Sequence, residues 1–398
     1  MKDPPAFRIA PPAFLADPAV ARVLDALPEA RAVGGCVRDA LAGRPVADID
    51  LATPRRPEAV MRALAERGIT VVPTGLDHGT VTAVVEGRPI EITTLRRDVA
   101  TDGRHAVVAF TEDWREDAAR RDFTFNALSL DRAGNVWDWF GGREDLARGV
   151  VRFIGDPATR LAEDHLRALR FFRFHARYGK GEPDPAAVAA IAADVPNLSI
   201  LSAERVWAEL KRILGASDPT GAVRLMRQTG VLAAVLPEAS DQDRLARLAG
   251  LGAPAEPLLR LAALAPAAPV ATLAERLRLS GAEAERLAAL LGPAPPTDPS
   301  ALRAALAEAG AETIVGRAWL AEAAALPGDW AAVRAFAEAT PRPVFSLRGA
   351  DVLALGIPPG PRVGAVLAAV ERRWKEAGCP EDEAMLRRWL AEAAATAA

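Results

Sequence analysis

Two aspartates separated by one apolar residue, Asp48-Ile49-Asp50, end a segment that begins Gly34-Gly35-Cys36-Val37-Arg38. This spacing constrains the fold more than any other feature. On a β-strand, residues i and i+2 point to one face, so the two carboxylates would share a face while Ile49 enters a core. The fold must therefore supply a sheet with one packed face and one open face. Two carboxylates a few ångströms apart repel strongly unless a cation lies between them. Upstream, Gly34 and Gly35 allow the backbone to approach a ligand closely, and Arg38 can grip phosphate. A glycine turn, an arginine and a metal-binding Asp pair together point to a nucleoside triphosphate held on Mg²⁺.

Three further blocks follow in order. Arg120-Arg121-Asp122-Phe123-Thr124-Phe125-Asn126-Ala127 places two cations where an apolar element begins. Glu163-Asp164-His165-Leu166-Arg167-Ala168-Leu169-Arg170-Phe171-Phe172-Arg173-Phe174 has helical spacing. In it Asp164, Arg167 and Arg170 recur every three residues on one face, and the Leu and Phe side chains are free to bury the others. Ala203-Glu204-Arg205-Val206-Trp207-Ala208-Glu209-Leu210 reads as a helix start with Ser202 as its N-cap.

These four blocks resemble the signatures of the class II tRNA nucleotidyltransferases and the related bacterial poly(A) polymerases. The segments around Thr74–Thr82, Glu91–Arg96, Asp102–His105 and Asp138–Gly142 match as well, and Phe125 replaces the usual branched aliphatic. The resemblance covers roughly residues 28–215. It implies two-metal nucleotidyl transfer, with Asp48 and Asp50 as catalytic metal ligands and Mg²⁺ as the metal. Gly35, Arg38 and Arg121 correspond to nucleotide-contacting positions. Arg170 and Arg173 do too, although helix packing could equally occupy either. Glu91, on the predicted strand GRPIEITTL, is a candidate third catalytic acid or, alternatively, a strand-end surface glutamate.

Asp164 and Arg167 can be argued from base edges. Cytosine and adenine each offer an acceptor beside an amine donor, which an arginine and a carboxylate satisfy together. Guanine and uracil reverse that order and would leave buried groups unpaired, at about 1–3 kcal/mol for each such group. One Asp–Arg pair could thus select C and A without a nucleic-acid template. The competing reading is an i,i+3 helix salt bridge.

The 398 residues, half of them hydrophobic, fit two or three globular domains. A net charge of −3 weighs mildly against nucleic-acid binding, but the charge is uneven. Residues 150–180 carry Arg152, Arg160, Arg167, Arg170, Arg173, Arg177 and Lys180 against Asp156, Glu163 and Asp164, a stripe suited to triphosphate and RNA backbone. The two cysteines lie far apart and imply neither a disulfide framework nor a zinc cluster. The N-terminus lacks a signal-peptide core and no apolar run approaches membrane-spanning length, so a cytoplasmic, non-membrane protein is expected.

The expected fold class is α+β: a small mixed-sheet nucleotidyltransferase head followed by an all-helical neck, body and tail. The head shows helix 18–27, strand 32–33, helix 37–41, strand 47–52, helix 56–66, strand 69–73 and a hairpin of 79–86 with 89–94. Residues 97–117 read as a mobile loop beside the site, and the chain is helical from about 155. Prolines and glycines in 237–258 and 292–299 mark turns, and 301–309, 314–325 and 330–339 have amphipathic helical spacing. The resemblance maps a catalytic head to 28–152, a nucleotide-recognising neck to 153–230 and a tRNA-binding body and tail to 231–398. It implies addition of CCA to the tRNA 3′ end, with tRNA as partner and CTP and ATP as substrates. Poly(A) polymerase, CC-only or A-only transfer, and an inactive RNA-binding module are the alternatives. Oligomeric state is not legible.

Overall fold

The computed structural model describes residues 3–101 and 106–396 and divides into two compact units, Met1–Pro237 and Glu238–Ala398. The first opens with β1 (Phe7–Arg8), α1 (Pro18–Ala26), β2 (Arg31–Val33), α2 (Gly35–Leu41), β3 (Asp50–Thr53), α3 (Pro57–Ala65), β4 (Thr70–Gly75), β5 (Thr80–Val85) and β6 (Arg88–Thr94). After these come β7 (Arg96–Thr101), β8 (Ala106–Phe110), α4 (Trp114–Ala119), β9 (Ser129–Leu130) and β10 (Asn135–Trp137). Eight strands form one sheet in the order β1-β10-β9-β2-β3-β6-β5-β4, in which only β3 and β6 run parallel. The mixed sheet expected from the sequence is therefore present.

Period-2 alternation sets the two faces. Leu51, Val81, Ala83, Ile90 and Ile92 join Val20, Val23 and Leu24 of α1 and Val60 and Leu64 of α3 in one buried cluster. Asp17 caps α1 by accepting from the backbone N–H groups of Ala19 and Val20. The alternate residues Asp50, Glu91, Thr80 and Thr93 line the opposite, open face.

Two expectations need correction here. The strand assigned to 47–52 begins only at Asp50, so Asp48 lies outside the ladder, exposed, on the approach to it. Residues 97–117 are not a loop: β7 and β8 pair antiparallel and α4 follows. The two strands form a separate ribbon, and neither Arg-Arg-Asp-Val-Ala-Thr nor Ala-Val-Val-Ala-Phe alternates apolar with polar residues as a half-buried strand does. The Asp102–His105 segment lies outside the described residues.

Helices complete this unit: α5 (Gly142–Arg148), α6 (Pro157–Glu163), α7 (Leu166–Tyr178), α8 (Pro185–Asp194), α9 (Ala203–Leu214), α10 (Thr220–Gln228) and α11 (Val231–Val235). Phe171 and Phe174 of α7 pack on Phe123, whose ring in turn lies 4.8 Å, centroid to centroid, from the tilted ring of Phe153. Phe125 is fully buried against Phe174 and Tyr178, so the larger side chain fills a place in an aromatic core. Ser202 caps α9 through Arg205 N–H, as its position before the helix predicts.

The second unit is helical throughout its described elements. Gln242–Gly250 is a helix within the stretch read as turns, its Leu245 and Leu248 buried despite the flanking prolines. Residues 292–298 do connect helices, and Pro299–Ala309, Ala311–Ala323 and Trp330–Ala339 occupy the three amphipathic stretches. Leu302, Leu306, Ile314, Trp330 and Val333 form one core, and Val366, Val370, Trp374, Leu386 and Leu390 another. No described helix is long and apolar enough to cross a membrane.

Candidate active site

Asp50 and Glu91 are register partners across the parallel β3–β6 pair, so their side chains leave the sheet together on its open face. Burial pushes the Asp50 carboxyl up. The Glu91 carboxylate adds to this, the Arg121 guanidinium opposes it, and the Asp48 carboxylate adds again. Two neighbouring carboxylates thus act on Asp50, with a single cation in partial compensation. Among the described residues no three acidic, histidine or cysteine side chains are gathered closely enough to hold a metal unaided. The donors are hard carboxylate oxygens, which suit a hard divalent cation that takes its remaining ligands from other oxygen donors.

The β2–α2 turn borders these acids. Gly34 has φ +69°, and a Cβ there would lie 2.8 Å from Arg121 Nη1. The glycine requirement is therefore at Gly34, while a Cβ on Gly35 would meet nothing closer than Arg38 Nη2 at 3.6 Å. Arg38 is buried and donates to Asn126 Oδ1 at 2.7 Å and Asp39 Oδ1 at 3.1 Å. Its guanidinium lies over the rings of Phe174 and Tyr178. Arg121 donates to the Asn126 carbonyl at 3.2 Å and to Asp117 at 3.4 Å.

Helix α7 supplies the opposite wall. Arg170 binds Asp122, which also accepts from Asn126 Nδ2 and from Phe123 N–H. Burial alone would raise Asp122, but Arg170 and these donors outweigh it and hold the carboxyl below its ordinary range. Arg173 donates to Glu209 at 3.0 Å, and burial, with neighbouring Arg170, lowers it to about 10. Both arginines are tied to carboxylates, and both also line the cavity.

Asp164 departs from its predicted place. It is not on the helix with Arg167; it sits between α6 and α7 in extended conformation, φ −159°. Its carboxylate accepts Leu166 N–H at 3.1 Å, so a local side-chain bond to the backbone replaces helical continuation. Its cationic partner is Arg205 of α9, at 2.9 Å. Arg167 instead binds Glu163 and the Arg160 carbonyl. The competing i,i+3 salt bridge is therefore absent, and both groups line one cavity.

That cavity has a volume of about 710 Å³ and brings together Gly35, Arg38, Asp50, Glu91 and Arg121 with Asp164, Arg167, Arg170 and Arg173. Asp48 faces an adjoining space of about 780 Å³, shared with Asp50, Arg38, Arg170 and Arg173. Arg205, Asp122, Asn126 and Glu209 were not singled out from the sequence. All four lie inside the quoted blocks, and polar residues at the mouths of apolar elements are the signal that could have found them.

Residues 30–152 match the Poly A polymerase head domain, and residues 182–242 match the family described as Probable RNA and SrmB- binding site of polymerase A. A mouse protein named CCA tRNA nucleotidyltransferase 1, mitochondrial, is 32% identical over 363 residues, 88% of this chain and 83% of that protein. The human protein of the same name is 47% identical over 189 residues, and there the chain spans 44% of the relative, less than half its length. A crystal structure of Bacillus stearothermophilus CCA-adding enzyme in complex with CTP superposes with a TM-score of 0.74 at 28% identity, covering 96% of this chain and 98% of that one. The chain belongs to the family of CCA tRNA nucleotidyltransferases, built on the poly(A) polymerase head.

Proposed function

We propose that the chain adds C, C and A in turn to the 3′ end of tRNA, using CTP and ATP, without a nucleic-acid template. The observation that carries this reading is the convergence of Asp50 and Glu91 with Asp164, Arg167 and Arg205 in one cavity, acids for transfer beside polar groups for a base edge. In each cycle the primer 3′-oxygen forms a bond to the α-phosphorus, the α–β anhydride bond breaks, pyrophosphate leaves and the hydroxyl proton passes to solvent. Asp48 and Asp50 are the residues that would hold Mg²⁺, with Glu91 beside them. When two such ions are bound, one would supply positive charge to the attacking oxygen and the other to the leaving phosphates. Arg38 and Arg121 orient the triphosphate. Asp164 and Arg167 present an acceptor and a donor to the base.

Within this reading, residues 28–152 form the catalytic head, 153–230 the nucleotide-recognising neck and 231–398 the part that contacts the tRNA body. The cytoplasm is the proposed compartment, while relatives named mitochondrial serve another. The test incubates the protein with Mg²⁺ and tRNA lacking its 3′ CCA, supplying each nucleotide singly and then CTP with ATP. Two cytidines from CTP alone and a terminal adenosine once ATP is added are expected. A long adenosine tail, one partial product, or none would replace this reading with poly(A) polymerase, a CC- or A-adding enzyme, or an inactive RNA-binding module.

A further inference from the structure

A second recess in the first unit takes no part in the chemistry above. It has a volume of about 440 Å³, and the described residues that line it are Arg44, Arg143, Arg177 and Lys180 with apolar residues and no carboxylate. Most arginines of this chain that border a cavity are bound to acids, as Arg170 is to Asp122 and Arg173 to Glu209. Three of these four, Arg44, Arg143 and Lys180, are held differently. Arg44 donates to the Arg177 carbonyl at 2.6 Å and lies over the Tyr178 ring. Arg143 lies 4.1 Å from the centre of the Phe7 ring. Arg177 is the exception: it pairs with Asp39 at 3.5 Å, a carboxylate shared with Arg38 and Tyr178. Lys180 is set by its backbone, whose N–H donates to Gly149 O at 3.0 Å, and Gly149 has no Cβ because one would lie 2.5 Å from Lys180 Cβ. Rings and carbonyls orient a cation without neutralising it, so the charge stays available to an incoming anion.

The recess is continuous with the site. Arg44 and Arg177 line both it and the 780 Å³ space that Asp48 and Asp50 face. Arg38, Asp50, Arg170, Arg173 and Phe174 in turn line both that space and the nucleotide cavity. A cationic path therefore runs from the carboxylates, away from the triphosphate side, to Arg143 and Lys180. We propose that this recess binds a backbone phosphodiester of the primer RNA strand, upstream of the nucleotide whose 3′-hydroxyl reacts. It would anchor the strand while its end is extended. The proposal rests on the reading of the chain as a tRNA-extending enzyme. Its chemistry requires only a polyanionic strand whose end lies at Asp48 and Asp50, and a free pyrophosphate is the competing anion.

The test measures tRNA binding over a range of salt for the wild-type chain and for the double variant Arg143→Gln/Lys180→Gln, both exposed surface positions. The expected result is a dissociation constant raised on the order of 10-fold at moderate salt and a log–log salt slope shallower by about one to two. Binding of CTP without primer should be unchanged. The charge-conserving pair Arg143→Lys/Lys180→Arg should restore binding, which separates lost charge from lost folding. A single methylphosphonate in the primer strand should weaken wild-type binding and add nothing in the double variant. An unchanged salt slope would overturn the proposal even if the wild-type chain extends tRNA. So would a rise in the inhibition constant for pyrophosphate with tRNA binding unaltered. A chain that shows the slope change yet extends no primer would refute the enzymatic reading and leave this site standing.

Discussion

Asp50 and Glu91 stand opposite each other on adjacent parallel strands, and each strand sends its next residue, Leu51 or Ile92, into the core behind. The same pleat that fixes the core therefore fixes the spacing of the acids. Because the Asp50 carboxyl is raised by burial and by Glu91, its ionised form is a burden on the folded chain without a cation. Asp50→Asn should abolish addition of both C and A, a loss of roughly 10³-fold or more. It should leave tRNA binding intact and, in metal-free buffer at pH 7, not lower the melting temperature. The sign follows from the raised carboxyl: the folded state binds the proton more tightly, so this contribution weakens as pH rises past 3.8. Retained A addition, or a clear loss of melting temperature, would count against the assignment. Asp48→Ala should lose both activities likewise.

The Asp122–Arg170 pair behaves in the opposite sense. Its carboxyl is held down, so the stability it contributes is present above the ordinary value of 3.8 and is lost as pH falls below it. Arg170→Ala should cost about 3–5 kcal/mol at pH 7, the cost of leaving a buried charge unpaired. Urea titrations between pH 2 and 7 should show a steep acid loss in the wild-type chain that is flattened in Asp122→Asn. Parallel pH profiles for the two would show that the pair does not couple to folding.

Gly34→Ala should cost about 1–3 kcal/mol, since alanine rarely adopts its backbone conformation. It should also impair triphosphate binding, because the new methyl meets Arg121. Gly35→Ala should be milder on both counts. Melting temperatures together with CTP affinities for the two variants check this order.

Part of this arrangement is legible in the amino-acid order. The alternation in residues 80–94 marks the strands, their faces and the position of Glu91, because a half-buried antiparallel hairpin writes its period into the chain. Pairing of Glu91 with Asp50 is not legible, since a parallel neighbour is chosen by tertiary contacts. Helix periodicity locates α7 but not its start: Asp164 ends the preceding helix through one local hydrogen bond, which no hydrophobic pattern records. Arg96–Thr101 and Ala106–Phe110 hide a ribbon because neither segment alternates apolar with polar residues in sequence, and Gln242–Gly250 forms a helix on two buried leucines despite the prolines around it.

Arg205 holds Asp164 from a different helix, so its removal should free the carboxylate without touching the triphosphate grip. Arg205→Ala should reduce discrimination against UTP and GTP by roughly 10- to 100-fold, in line with about 1.5–3 kcal/mol for a charged hydrogen bond. Misincorporation measured on tRNA ending in its discriminator base reads this directly. Unchanged discrimination would assign Arg205 to structure alone.

In the proposed mechanism this cavity, and no nucleic acid, chooses the base. Single-turnover incorporation of all four nucleotides by the wild-type chain, Asp164→Ala and Arg167→Ala tests this most directly. Arg167→Ala should damage CTP and ATP use together, because both bases need the same donor. Asp164→Ala should relax rejection of UTP and GTP more than it weakens triphosphate binding, with effects of about 2–4 kcal/mol each. Full wild-type discrimination against UTP in Asp164→Ala would contradict the mechanism and place base selection elsewhere.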